Sequence, residues 1–163
     1  MRSAPVNGRN DNVSIHELER LPEDICVLQA QAVAEGFRFL TRLIKEWEDR
    51  SNRFDQPGEC LLGVFFNGQL IAIGGVSRDP CGAPKTARLR RVYVMPALRG
   101  HGVGKQLVAH LCERASERFS ILRLSTDTLE GARFYLRCGF HAIADDGATH
   151  EKSLITRHTS SPN

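Results

Sequence analysis

Between residues 86 and 105 the chain reads TARLRRVYVMPALRGHGVGK, and this stretch constrains the fold more than any other. A strand-like run from Arg88 to Val94 stops at a proline. A loop carrying Arg99, Gly100, Gly102 and Gly104 follows, and a long amphipathic helix starts directly after it. Strand, glycine loop and helix N-terminus, in that order, aim main-chain amides at an anion. The three glycines permit positive φ and a close approach of the backbone. A chain with this segment is expected to grip a phosphorylated ligand.

Spacing separates the phosphate loops. A P-loop, G-x-x-x-x-G-K-[ST], would need glycine at 99 and Ser or Thr at 106 if Gly104-Lys105 supplied its G-K; those positions hold Arg99 and Gln106. A dinucleotide fingerprint, G-x-G-x-x-G, would need glycine at 105 or 107, which are Lys105 and Leu107. What remains is R-x-x-G-x-G: Arg99, Gly102 and Gly104.

A second mark lies further on: Ala132, Phe134-Tyr135, then Cys138-Gly139-Phe140. The loop resembles the pyrophosphate loop of the GNAT superfamily of acyl-CoA-dependent N-acyltransferases. LRRVYVMP resembles that family's central strand, and RFYLRCGF its helix ending in Tyr-x-x-x-Gly-Phe. The pair of motifs covers roughly residues 86–141, and the strand pattern extends the likeness to about 60–155.

At 163 residues one domain is expected, long enough for a sizeable core. A net charge of +3 is too mild for a nucleic-acid binder, whose charge is larger and clustered. The cluster Arg88, Arg90 and Arg91 sits beside the phosphate loop, so a ligand-directed or salt-bridged role is more economical. The five cysteines, Cys26, Cys60, Cys81, Cys112 and Cys138, show no C-x-x-C or His-paired spacing, so no metal is expected. Their odd number and the lack of a signal-peptide pattern point to a reducing cytoplasm. No apolar run approaches the roughly 20 residues of a membrane span.

Residues 1–12 read as a mobile tail, 13–156 as one acyltransferase domain and 157–163 as a C-terminal tail. Val13 to Leu18 reads as a strand, and Pro22 as the first turn of a helix to about Ala34. Phe37, Leu40, Ile44 and Trp47 then share a helical face. Leu61–Phe66 and Gln69–Val76 flank Asn67-Gly68, a strong hairpin signal, and Lys85–Val94 completes an antiparallel meander. The helix after the glycine loop runs to about Phe119 on a stripe of Val103, Leu107, Val108, Leu111, Cys112, Ala115 and Phe119. Ile121–Ser125 is a strand and Leu129–Arg137 a helix, closed by Gly139 in αL. Phe140–Ala144 and Glu151–Ile155 form a last hairpin around Asp146-Gly147. The order β-α-α-β-β-β-α-β-α-β-β is the one the resemblance implies: an α+β fold with a mixed, mostly antiparallel sheet of about seven strands and about four helices.

The resemblance also implies a chemistry. Acetyl-CoA would place its pyrophosphate on the amides of Gly100, His101, Gly102, Val103, Gly104 and Lys105, with Arg99 adding a charge-assisted bond or packing as a spacer. Lys105 is either a phosphate partner or a solvated lysine at the helix start. The pantetheine arm would lie along Val92, Tyr93 and Val94, where the central strand splays from the strand at Ile121, and the amide of Val94 or Tyr93 would polarise the thioester carbonyl. A neutral amine on a small molecule or peptide would attack directly, and Tyr135 would protonate the departing thiolate. The residues bordering the acceptor would be Phe37–Trp47 and the loop Asp79–Pro84.

The sequence departs from the family at two places. Thr86, Ala87 and Arg88 stand where many relatives carry a glutamate, leaving Glu59, Asp79 and Asp127 as candidate bases. Leu129, three residues before Ala132, stands where the family often has asparagine. The alternative reading is therefore an acyl-CoA-binding regulatory or sensor domain without turnover. Neither a nucleic-acid nor a membrane partner is expected, and a homodimer is left open.

Overall fold

Asn67 and Gly68 both take positive φ, 53° and 81°, as a two-residue primed hairpin turn requires. They join β2 (Cys60–Phe66) to β3 (Gln69–Arg78), whose register runs from Phe66↔Gln69 to Cys60↔Val76. On one side β1 (Val13–Glu17) adds antiparallel to β2, and on the other β4 (Thr86–Val94) adds antiparallel to β3. The remaining strands are β5 (Ile121–Leu124), β6 (His141–Ala142) and β7 (His150–Ser153). The computed structural model describes residues 12–80 and 83–154, and its strands form one sheet in the order β1-β2-β3-β4-β5-β7-β6. Every neighbouring pair is antiparallel except β4 and β5.

The parallel pair needs a crossover, and α3 (Val103–Ala115) supplies it. Its buried stripe is the one expected, Val103, Leu107, Val108, Leu111, Cys112 and Ala115. The helix ends at Ala115 rather than Phe119; Phe119 is still buried, held by a turn in which its N–H bonds the Ala115 carbonyl at 2.8 Å. α4 (Leu129–Arg137) lies beside α3, and α1 (Ile25–Ala34) and α2 (Phe39–Asp49) cover the opposite face. Gly74 and Gly75 mark the two faces. A Cβ at Gly74 would meet Leu111 and Leu107 of α3, whereas one at Gly75 would meet Phe54, which follows α2.

The first helix begins at Ile25, with Pro22 lending its carbonyl to the Ile25 N–H. In α2 the buried set is Leu40, Leu43 and Trp47; Ile44, and Phe37 just before the helix, are only partly covered. The last hairpin is shorter than expected. Phe140, Ile143 and Ala144 lie outside its strands, and the turn is held by Asp145 Oδ1 accepting the Gly147 N–H at 2.7 Å. Cys26, Cys60, Cys112 and Cys138 are free thiols. Cys81, Ile155 and the tails 1–11 and 157–163 lie outside the described residues. Among the described residues no helix is long and apolar enough to cross a membrane.

Candidate active site

β4 is straight only up to a point. Gly75 opposes Arg90 and Ile73 opposes Tyr93, so Arg91 and Val92 together face Gly74. Arg91 carries the extra length with φ of 61°; a positive φ is costly for an arginine and is the mark of a bulge. Arg91 Nη2 holds Glu46 of α2 at 3.0 Å, which fixes the bulged residue to the helix layer. The absent Cβ of Gly74 makes room for Val92 Cγ2.

β4 has lost β5 before it reaches this bulge. The two strands pair only over Thr86↔Ile121, Ala87↔Leu122 and Arg88↔Arg123, and at the fork Arg88 Nη2 donates to Ser125 Oγ at 2.6 Å. Beyond it the sheet is split. Met95 N–H bonds the Ile71 carbonyl of β3 at 2.8 Å, so the alternation of a strand turns the Tyr93 amide toward β3 and the amides of Val92 and Val94 into the gap. Of the two amides expected to polarise a carbonyl, only that of Val94 faces the open side.

The gap continues into the glycine loop. Gly100 and Gly102 both have φ of 85°, a conformation open to glycine, and Gly102 is the N-cap of α3. None of the amides from Gly100 to Lys105 bonds a backbone acceptor among the described residues, whereas Gln106 N–H already bonds Gly102 at 3.0 Å. Those orphan donors sit at the positive end of the helix dipole. Gly104 lets α3 approach its neighbours: a Cβ there would come to 3.2 Å from Phe134 of α4 and 3.3 Å from Val94.

Loop, split and α4 enclose one cleft of about 1300 Å³. Among the expected residues it is lined by Val92, Tyr93, Val94, Arg99, Gly100, Gly102, Gly104, Lys105 and Tyr135. His101 and Val103 do not line it; Val103 is buried against the core, so only the amides of these two could serve. Tyr135 is wedged edge-on between Phe134 and Phe140, 4.9 and 5.7 Å between ring centres. Its hydroxyl makes no hydrogen bond to any described residue, and burial pushes it above the ordinary phenol range. Burial raises the Cys138 thiol too, which leaves that residue a packing neighbour rather than a thiolate.

Arg99 is engaged by protein rather than reaching alone into the cleft. Its Nη1 and Nη2 donate to the two oxygens of Glu35 at 2.8 Å each, and its Nε donates to the Val94 carbonyl at 2.9 Å. Tyr93 donates to the same Glu35 at 2.6 Å. The Arg99 hydrogen bonds hold the Glu35 carboxyl below its ordinary range. Desolvation and the Glu35 bond push the Tyr93 hydroxyl up to about 12. This knot ties the end of α1 to β4 and to the glycine loop. Sequence reasoning missed Glu35, because nothing local links it to residues so distant along the chain.

The candidate bases separate. Glu59 is a loop cap, accepting from the amides of Arg78 at 2.8 Å and Gln56 at 3.2 Å. Asp79 is buried between Arg88 and Arg123, 3.8 Å from each. Only Asp127 lines the cleft. The helix α4 starts at Leu129, as expected. Thr128 caps α4, accepting from Gly131 N–H at 3.0 Å, while Leu129 points to solvent. The small residue that this start requires is Gly131, where a Cβ would overlap the Thr126 and Thr128 hydroxyls. Trp47, Glu59 and the 83–84 segment stay out of the cleft; Phe37 and Phe39 border it. The geometry suits an extended, phosphate-bearing thioester: donors for the phosphates, a strand edge for an amide-rich arm and a tyrosine hydroxyl at its end. Among the described residues no cluster could hold a metal ion.

The family model for the acetyltransferase (GNAT) family matches residues 22–140. A 93-residue alignment with the uncharacterized N-acetyltransferase YjgM of Escherichia coli K12 is 29% identical, over 55% of this chain and 56% of that protein. The chain therefore spans about half the length of that curated relative. A putative acetyltransferase from Exiguobacterium sp. 255-15 superposes with a TM-score of 0.80 at 26% identity, over 92% of this chain and 99% of that one. An acetyltransferase from Streptococcus agalactiae 2603 (TM-score 0.71, 19% identity, 88% and 99% covered) shares the fold. So does a mutant of the toxin AtaT, solved with the C-terminus of the antitoxin AtaR and acetyl-CoA (0.67, 15%, 88% and 94%).

Proposed function

Because the chain belongs to the GNAT acetyltransferase family, we propose that it transfers an acetyl group from acetyl-CoA to a primary amine of a small molecule or peptide. The observation that carries this reading is the split between β4 and β5. It runs from the amides of Gly100 to Lys105, past the free amides of Val92 and Val94, to the Tyr135 hydroxyl.

In this reading the loop amides and Lys105 hold the pyrophosphate, and Arg99 holds the loop through Glu35. The Val94 amide donates to the thioester oxygen, where charge develops on attack. Tyr135 gives its proton to the sulfur. An ordinary phenol, with a pKa of about 10, is a weaker acid than a thiol of about 8.5. Burial raises the phenol further, but the enclosed thiolate is denied water in the same way, and its proton affinity rises with it. The amine must arrive neutral, or lose its proton to water held near Asp127. The acyltransferase unit is taken as residues 13–156.

Tyr135→Phe is the decisive variant. Removing a general acid costs on the order of 10²-fold or more in kcat, while acetyl-CoA affinity, measured by calorimetric titration, should change less than a few-fold. Loss of acetyl-CoA binding in this variant would make the tyrosine structural. A second reading, an acyl-CoA-binding regulatory domain, is favoured by one observation: Glu59 and Asp79 are both committed elsewhere. Tight acetyl-CoA binding with no thiol release across an amine panel would select it.

A further inference from the structure

On the α1–α2 face of the sheet, next to the fork, three consecutive-strand arginines have different fates. Arg88 is shared between Ser125 and Asp79, and Arg91 is paired with Glu46. Arg90 has no carboxylate. Its Nε donates to Ser77 Oγ at 2.8 Å, and its two terminal nitrogens have no partner among the described residues. Desolvation and the adjacent Arg88 and Arg91 destabilise its charge, and the more distant Glu46 and Asp79 offset this only in part. Arg42, one turn into α2, lines the same cleft, and its side chain likewise has no partner among the described residues. The two carboxylates on this face, Asp79 and Glu46, are engaged by Arg88 and Arg91, and the buried Arg91 Nε finds no acceptor. Glu35, the carboxylate on this side of the cleft, is already held by Arg99 and Tyr93.

These guanidinium groups lie across the sheet from the glycine loop, since Arg90 shares the face of Gly75, and Val92 and Gly74 face α3. They are therefore not part of the phosphate grip. They border the end of the cleft where the acceptor would approach the thioester. We infer that the acceptor amine carries an anionic group of its own, a carboxylate or a phosphate, and that Arg90 and Arg42 bind it. This rests on the acetyltransferase reading for the word acceptor, but not for the anion site itself. The free Nη1–Nη2 edge of Arg90 can meet two oxygens of one anion, the geometry that makes arginine selective for such groups. Arg90, a partly buried cation with no carboxylate in contact, gains more from an anion than a solvated one does. A cationic polyamine would meet repulsion here.

The test is calorimetric titration of the full chain, with and without saturating CoA, using two matched pairs of probes. One pair is N-acetylalanine and its amide; the other is N-acetyl-2-aminoethyl phosphate and N-acetylethanolamine. The anionic member of at least one pair should bind tenfold or more tightly than its neutral partner, and the pair that shows this tells carboxylate from phosphate. Arg90→Gln and Arg42→Gln should each cut that preference fivefold or more and leave CoA affinity within twofold. Arg42 is exposed, so its variant folds even if the Arg90 variant does not. Equal, reversed or undetectable binding in both pairs overturns the inference. An intact anion preference with no CoA binding would instead overturn the acetyltransferase reading and leave the anion site standing.

Discussion

Glu35 shows how much a single residue can organise. It follows the last turn of α1, where a carboxylate meets the negative end of the helix dipole. Arg99 offsets this with a bidentate pair, and Tyr93 adds a third bond. Both charged groups are partly solvated, at 42% and 31% exposed, so the pair is worth only about 0.2–1 kcal/mol. Its value is positional: it holds the start of the glycine loop against β4. The depressed carboxyl also has a pH signature. A group whose folded pKa lies below its unfolded value of about 4.3 stabilises the fold at neutral pH, and that contribution is lost as pH falls through the folded pKa. Glu35→Gln should therefore be less stable than the parent at pH 7. The difference should close below about pH 4, as urea unfolding at both pH values would reveal. A constant difference across the range would mean that the carboxylate charge contributes nothing.

At the scale of the element, β4 does two jobs in succession. Its first residues complete a ladder with β5, and after Arg88 it leaves that ladder and turns its outer amides to the gap. Arg91 and Gly74 make the bulge inside the stretch that has left it: one residue takes a positive φ, and the other has no side chain to obstruct it. The expected consequence is residue-specific. On addition of acetyl-CoA, amide exchange at Val92 and Val94 should slow markedly, while Tyr93, already bonded to β3, should not change. Equal slowing at all three would point to general stiffening rather than an arm seated in the split.

For the whole molecule, α3 and α4 meet at Gly104, and both the loop and the tyrosine depend on that contact. A ligand that binds only the folded chain stabilises it, by about 2.7 kcal/mol at 100 times its Kd. Acetyl-CoA should raise the melting temperature of the parent accordingly. Gly104→Val places a branched side chain where a bare Cβ is already 3.2 Å from Phe134. That variant should melt lower and gain a much smaller shift from acetyl-CoA. An undiminished shift would remove the glycine loop from the binding site.

The order of elements, the hairpin at Asn67-Gly68 and the buried stripe of α3 were legible in the chain because they are local: turn chemistry and periodicity act over a few residues. The glycine loop and Tyr135 were legible because phosphate binding and the Tyr-x-x-x-Gly-Phe helix use contiguous spacing. The rest depended on contacts between distant segments. Only the folded sheet decides that β4 parts from β5 after Arg88, that Val94 rather than Tyr93 turns its amide outward, and that Glu35 captures Arg99. Likewise, the sequence shows three arginines of equal charge, and tertiary packing gives Arg91 and Arg88 their carboxylates and leaves Arg90 without one. Pairing is a matter of which side chains meet across elements, and no local pattern encodes it.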